Sequence, residues 1–533
     1  MDANKRLLLA IALSFLVLVG YSYLFPPKNN TTYENNTTQN RQSVATKKEA
    51  PNVAVPTKSS EVTTQTAPVA TDTTKTIATI TSKKYTIKID DLGRIKSAIL
   101  KEKKYKTEDG KPLDIIAKDT IRPLEIRFKD KAINKLAFEN SYSASSSSLD
   151  ATNSDATLTL TQNLNGVTVK KVITFHPEGN YDLKVEVSGN KEYFITPGLR
   201  PMADKSMYMV VRGALVREAS GVINTFESGD VKQIKSFDKV NVAAAIDRYY
   251  TTLLFSKNST FSATIAASGI KEHEEEPVIF IGAKGNLDLE GYIGPKEWKL
   301  FSKLDKKLED VIEFGWFTFL AKPFFKVMLA IFNFVGNWGW TIVLFTILVK
   351  IVLFPLSYKG LMSMQKLKDL APKMKELKEK YGKDPAKMNQ QMMELYKKHG
   401  ANPMGGCLPM LLQIPIFFAL YRVLLNADEL QGAPWILWIK DLSVQDPYFV
   451  LPILMGITMY IQQKITPNNM TDPTQQKIFQ WLPVIMTFFF LTFPAGLVLY
   501  WLVNNVLTIA QQAYVNKAYE SYKAKQKEIK NKK

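Results

Sequence analysis

The 533-residue chain contains a single cysteine, Cys407, and only three histidines, His176, His273 and His399. One thiol excludes an internal disulfide and a paired-thiol zinc site, so an exported domain of this chain must rely on its own core. The histidines lie far apart and none has a partner at metal-ligand spacing, so no metal site is expected. A nucleophile elbow, a Walker A loop and an HExxH helix are also missing. The acidic run beside a histidine, HEEE at 273–276, reads as a solvated loop. Neither enzyme activity nor a cofactor is expected on these grounds.

Acidic residues are outnumbered, 50 Asp and Glu against 69 Lys and Arg, giving a formal net charge of +19. Such an excess points to nucleic acid or to an anionic membrane surface, and where the charge lies decides between them. The apolar fraction of 46% is an average over unlike parts, because the long apolar runs are confined to the N-terminus and to the chain after residue 330.

Residues 7–25, LLLAIALSFLVLVGYSYLF, follow Lys5 and Arg6. As a helix they span about 30 Å of hydrocarbon. They end in YLFPP, with no small-x-small cleavage site and no lipobox cysteine. Residues 1–27 therefore read as an uncleaved anchor with a cytoplasmic N-terminus; a cleaved signal peptide is the alternative. Residues 28–78 are rich in Thr, Asn, Ser, Val and Pro and read as a disordered tether.

Residues 79–310 change character. YTIKID (85–90), LEIRF (124–128), TLTLTQ (157–162), VTVKKVITF (167–175) and YDLKVEV (181–187) alternate with period two. VNVAAAI (240–246), STFSATIAAS (259–268) and PVIFIGA (277–283) continue the pattern, and Asn165-Gly166 between two runs predicts a tight hairpin. A large antiparallel β-sandwich outside the cytoplasmic membrane is expected. The apolar stretch after it, within 311–336, carries Lys322, Pro323 and Lys326, which suits an amphipathic helix lying in the interface plane; a full span is the alternative.

Five further apolar stretches, about 338–358, 406–426, 448–465, 475–493 and 496–514, predict five spans over 337–514 and six in all. The loops fit this topology. Residues 359–405 hold eleven lysines against five acids, the tail 515–533 holds seven lysines against two glutamates, and the outer loop 427–447 holds one lysine against four acids. The positive charge thus gathers at the inner leaflet, which favours anionic lipids, and ribosomal RNA, over a DNA-reading role. The fourth and fifth spans are short, about 20 Å each at helical rise, so the bilayer is expected to thin there.

Lys350 is the ionisable group in the middle of the 338–358 span. At the bilayer centre such a charge costs roughly 2.5 to 3.5 kcal/mol, so it is expected to face a water-filled cavity open to the cytoplasm. Snorkelling, pairing with a buried acid and a neutral amine are the alternatives. Thr346 lies one turn earlier on the same face. Gln413, Gln462, Gln463, Lys464, Asn504, Asn505 and Thr508 offer further polar groups; singly, each is explained as well by an interhelical hydrogen bond.

Between the second and third spans, Leu367, Leu370, Met374, Leu377 and Tyr381 keep helical spacing, Gly382 breaks the helix, and Asp384-Pro385 starts another. Residues 359–405 therefore predict a cytoplasmic helical hairpin. Met364, Met374, Met388 and Met392 serve either its own packing or a soft surface for apolar clients and targeting factors.

NPMGGCLPMLLQIPIFFALYRVL (402–424), LWIKDLSVQDPYFVLPILMGITM (437–459), TDPTQQKIF (471–479) and FPAGLVLYWLVNN (493–505) resemble the bacterial YidC membrane-protein insertase family. The resemblance covers 310–515 by motif; the anchor, tether and large β-domain match the Gram-negative layout. It implies a polytopic α-helical membrane protein of the bacterial inner membrane, with both termini cytoplasmic. Five spans would surround a hydrophilic groove open to cytoplasm and lipid, and a periplasmic β-sandwich would be attached. Along the groove, nascent membrane-protein clients would pass. The family's groove cation is usually arginine, and the matching position here is Lys350, a point charge without a bidentate fork. Thr346, Tyr500 and Trp501 match groove-wall positions that clients touch. The hairpin and basic tail match surfaces that meet the ribosome, the signal recognition particle and its receptor, and the Sec translocon. The implied function is a non-enzymatic insertase and chaperone, alone or with the translocon. A secondary transporter or ion channel, or a tethered periplasmic sugar-binding or structural protein, is the rival reading. Transporters usually show inverted repeats and intramembrane carboxylates, and neither is found here.

Overall fold

A computed structural model describes residues 74–531 apart from 108, 205, 207, 209, 271, 382–383, 400–407 and 467–472. The expected anchor and most of the expected tether, through residue 73, lie outside the described residues. The tether's last three residues do not behave as expected, because a strand runs over Thr76–Ser82. Its Thr/Ala composition resembles a linker, but Ala78, Ile80 and Ser82 all point into the core.

Strands from Thr76 to Pro295 form a four-stranded sheet and a thirteen-stranded sheet packed face to face. Pairing is antiparallel save between Thr76–Ser82 and Ser148–Ala151, which run parallel. The alternating runs fold as their period requires: Ala156–Leu164, Val167–Phe175 and Asn180–Val187 each bury every second residue. Between the first two, Leu164 pairs with Val167, and Asn165 (φ 45°) and Gly166 (φ 92°) make the two-residue turn. Positive φ at both positions matches the right-handed twist of the strands, and Asn-Gly tolerates it. The run LEIRF yields only a three-residue strand, Ile126–Phe128, because Leu124 has φ 68° and breaks the extended path.

One part of the sheet follows a different rule. Lys235–Ile246 is buried throughout its second half, and Tyr250–Phe255 along its whole length. The two faces there feed two cores, with the alternation shifted at an irregularity beside Val240. Val240, Ala243 and Leu254 face the space between the sheets. Val242, Ala244, Ile246, Leu253 and Phe255 face a second core shared with the helices that follow.

Helix α1 (Lys131–Glu139) packs on the sandwich, capped by Asp130. Helix α2 (Trp298–Leu304) leaves the last strand and opens the helical half of the chain. There follow α3 (Thr318–Val335), α4 (Trp338–Tyr381), α5 (Pro385–His399), α6 (Leu408–Asn426), α7 (Val450–Ile465), α8 (Pro473–Phe490) and α9 (Ala495–Asn531). By length and composition α3 and α4 are each able to cross a membrane, while Gln413–Asn426 and Phe479–Phe490 are apolar but shorter. Lys322 and Lys326 of α3 pair with Asp310 and Glu309 at the end of the sandwich, so the lysines of this stretch face protein acids.

Two long helices depart from the expected segmentation. At 44 residues, α4 does not stop at 358 but continues through Pro355 and Pro372 to form the first arm of the hairpin. The 37-residue α9 runs on through the expected tail as far as Asn531. At 1.5 Å per residue these helices reach roughly 66 and 55 Å, well past a bilayer core. Their distal halves are joined to each other. Tyr519 donates to Asp369 at 2.9 Å, Lys523 pairs with the same carboxylate at 2.9 Å, and Gln365 donates to Asn516.

The sandwich is docked on the helices. The loop after α6 enters it: Asp428 accepts from Lys104 at 2.9 Å and from Tyr105 at 2.8 Å, and Glu429 accepts from the Trp298 N–H at 3.2 Å. Arg248 Nε donates to the Leu425 carbonyl at 2.8 Å, and the Tyr208 hydroxyl to that of Thr492 at 2.9 Å.

Candidate functional site

Four helices enclose a cavity of ≈ 350 Å³. Helix α6 supplies Gln413, Ile414, Phe417 and Phe418; α7 and its C-cap supply Met459, Gln462, Gln463 and Thr466; α8 supplies Phe479, Leu482 and Pro483; α9 supplies Tyr500, Trp501, Asn504 and Asn505. Each set is spaced one, three or four apart, so each helix turns a single face inward. Ile414 lines the cavity and is 46% exposed, so the cavity reaches the outer surface of the bundle beside α6.

The walls are mostly apolar, with a small polar share. Trp501 stands edge-on to Phe417 at 4.7 Å and tilted against Phe490 at 5.0 Å, giving one side an aromatic lining. Five carboxamides and the hydroxyl residues Thr466 and Tyr500 supply the polar part, and the described lining holds no Asp, Glu, Lys, Arg or His. Two of the five are used between helices: Gln463 donates to the Phe479 carbonyl, and Asn505 to Thr458 at 3.4 Å.

Close packing behind the cavity holds its walls in place. A Cβ on Gly456 of α7 would fall 2.0 Å from Thr487 Oγ1 of α8, so glycine sets the approach of these helices. At the N-terminal end of α9, the N–H groups of Ala495 and Gly496 donate to the Val444 and Leu442 carbonyls at 2.7 and 2.9 Å, satisfying donors that a helix start leaves open.

The sequence-expected residues divide between two places. Gln413, Gln462, Gln463, Tyr500, Trp501, Asn504 and Asn505 line this cavity, whereas Lys350, Thr346, Lys464 and Thr508 do not. Thr346 is buried, and its hydroxyl donates to the Ile342 carbonyl of its own helix at 2.7 Å. Lys350 is half-buried at the contact of α4 with α9, where Nζ donates to Thr508 Oγ1 at 2.8 Å. Thr508 lies one turn past Asn504, so α9 carries the cavity and the ammonium site on successive turns. Among the described residues no ion pair involves Lys350. The apolar wall, Phe417, Phe418, Met459, Phe479 and Leu482, was not singled out from sequence; its signal was the spacing of these residues from Gln413, Gln462 and Gln463.

In the hairpin, Met374 and Met392 pack with Leu367, Leu370, Leu395 and Tyr396, and the Tyr396 hydroxyl approaches Met374 Sδ at 3.7 Å. Met364 and Met388 are half-buried, and Met393 is 51% exposed. Asp384 accepts from the Lys387 N–H at 3.1 Å, the cap that the Asp-Pro pair predicts.

A helical bundle with a largely apolar cavity that carries five carboxamides, joined to a large antiparallel β-sandwich, is the architecture of a polytopic membrane protein with a large domain outside its spans. Two family models match the chain, one described as a 60Kd inner membrane protein over residues 330–524 and one as the YidC periplasmic domain over residues 77–327. The Wolinella succinogenes membrane protein insertase YidC is 48% identical over 98% of this chain and 96% of its own. That of Campylobacter jejuni is 48% identical over 97% and 96%, and that of Helicobacter pylori strain 26695 is 46% identical over 98% and 97%. The chain belongs to the YidC membrane protein insertase family.

Proposed function

We propose that this chain inserts and folds proteins of the bacterial inner membrane, without covalent chemistry, and that clients pass along the cavity bounded by α6, α7, α8 and α9. The observation that carries this reading is the cavity's mixed wall. Polar amides and an aromatic face lie side by side, in a space that reaches the outer surface of the bundle at Ile414. A client's polar segment is held on the amide side while its apolar residues move out into lipid. Removing apolar surface from water releases about 25 cal/mol per Å², which offsets the cost of carrying a few polar residues.

Lys350 keeps the α4–α9 contact hydrated beside this path and attracts acidic residues of a client's leading segment, with Thr346 one turn away. Both termini are cytoplasmic and the sandwich is periplasmic, which the lysine-rich hairpin and α9 extension support. The same basic surfaces, with Met364, Met388 and the exposed Met393 nearby, meet the ribosome, the signal recognition particle and its receptor, the Sec translocon and anionic lipids. The helix 318–335 lies at the outer interface, held there by its lysine pairs with Glu309 and Asp310.

A photo-crosslinker at Gln413, Trp501 or Lys350, presented to ribosome-bound nascent chains, tests the route. Crosslinks are expected from all three positions to a client's first span as it enters. Crosslinks confined to the sandwich would overturn the route.

A further inference from the structure

Three of the five cavity carboxamides do not make the interhelical bonds that usually explain such residues. Among the described residues, the carboxamides of Gln413 and Asn504 have no hydrogen-bond partner, and Gln462 Oε1 is enclosed without one. They come from three different helices and converge on one space. Asn504 is 8% exposed as a residue, and among these three amides the Gln462 oxygen is the atom fully enclosed. Buried polar atoms in native proteins are nearly always paired, so the enclosed, unpaired Gln462 oxygen, with the two further amides open to the same cavity, points to an occupant that pairs with them.

The chemistry of the lining selects that occupant. A carboxamide carries an N–H donor and a C=O acceptor side by side, the same pair that a peptide unit presents. It bears no charge, so it discriminates little between acidic, basic and neutral side chains. Leaving a peptide group unpaired in an apolar medium is the main obstacle to an unfolded segment at membrane depth. The rest of the wall is aromatic, aliphatic and Met, suited to varied apolar side chains.

We propose that Gln413, Gln462 and Asn504 bind the main-chain amides of a client segment that has not yet formed its helix, so that the cavity recognises unpaired peptide backbone, whereas Lys350 recognises charge. The proposal rests on the insertase reading above. It divides the work in space: the ammonium acts at the α4–α9 contact, and the amides act in a cavity whose lining excludes that ammonium. A client that completes its own i→i−4 bonds no longer needs the amides, and is released to lipid as its helix closes.

The test uses the full chain in proteoliposomes with ribosome-bound clients made by translation in vitro. Hydroxy acids replace two or three residues of the client's entering segment, turning amides into esters that lack the N–H and accept weakly. Insertion of the ester client is expected to slow by about three- to tenfold, the value of one or two modest hydrogen bonds. In Gln413→Leu/Gln462→Leu/Asn504→Leu, amide and ester clients are expected to insert at the same reduced rate. The ester comparison on the unaltered protein stands even if the triple variant fails to fold. Equal rates for amide and ester clients, with crosslinking from Trp501 intact, overturn backbone recognition and leave the insertase reading standing. Loss of both crosslinking and insertion for the all-amide client overturns the insertase reading itself.

Discussion

Lys350 Nζ and Thr508 Oγ1 lie 2.8 Å apart across the α4–α9 contact, and the same threonine hydroxyl donates onward to the Asn504 carbonyl at 2.7 Å. The ammonium is thus met by a neutral hydroxyl, which holds its position without cancelling its charge. Removing the charge and keeping the shape are separable. Lys350→Ala is expected to lower the protease-protected yield of clients with acidic leading segments by about tenfold, the value of about 1.4 kcal/mol. Lys350→Arg is expected to retain most of it, because a point charge is enough. Normal insertion of every client by Lys350→Ala would remove the role assigned to this residue.

The docking of the sandwich on the loop after α6 is expected to respond to pH. Burial, followed by the neighbouring Asp428 carboxylate, pushes Glu429 up from 4.5 to about 7, with Lys104 opposing. The docked form therefore binds this proton more tightly than an undocked one between about 4.5 and 7. Docking is strongest at the acid end of that window, weakens as pH rises through it, and is flat above. Thermal melts of the purified chain at pH 5 and pH 8 should differ, and Glu429→Gln should abolish that part of the difference.

Within the sandwich, Lys171 is fully buried and donates to the Gly93 and Leu124 carbonyls at 2.8 and 2.7 Å. Burial pushes its ammonium down to about 7 from 10.5. The folded chain then binds fewer protons than the unfolded one between those values, so this residue's contribution makes stability rise with pH across the window. Lys171→Met leaves two buried carbonyls without their donor and is expected to cost about 1–3 kcal/mol while flattening the pH slope. Denaturant unfolding at pH 7 and pH 9 measures both.

The α7–α8 wall of the cavity depends on one missing methyl. Gly456→Ala would drive its Cβ to 2.0 Å from Thr487 Oγ1, whereas the next nearest atom, Thr487 Cβ, lies at 3.2 Å. The single variant is expected to lose about 1–3 kcal/mol by overpacking, and Thr487→Ala added to it should restore most of that. Additive losses in the double variant would show that the close approach is not what glycine serves.

Some of the sandwich was legible because one buried face imposes period two on the sequence. Val167, Val169, Ile173 and Phe175 announce such a strand. Lys171 shares their parity, and a stricter use of the pattern would have placed it inside. It belongs to a buried charged group in which Asp90 accepts from Arg94 and Arg122 at 2.9 and 2.8 Å, and Arg94 reaches Glu125 at 3.0 Å. Residues from distant stretches make that group, so no local spacing reveals it. Tyr250–Phe255 was missed for a different reason. With both faces buried it does not alternate, and the second core that buries it comes from helices far along the chain.

The sequence by itself determined which stretches are apolar enough to leave water, where the lysines concentrate, where strands alternate and where the chain must turn, because these follow from local composition and period. It also carried the family resemblance and seven residues of the cavity wall. Only the tertiary structure decided that Lys350 stands beside Thr508 and outside that cavity, that α4 and α9 continue past the bilayer length and join at Asp369, and that the loop after α6 fastens the sandwich to the bundle. The Lys350–Thr508 and Tyr519–Asp369 contacts depend on the rotation of one helix about its axis against another. That rotation is set by side-chain packing summed over several partners, which no single segment encodes.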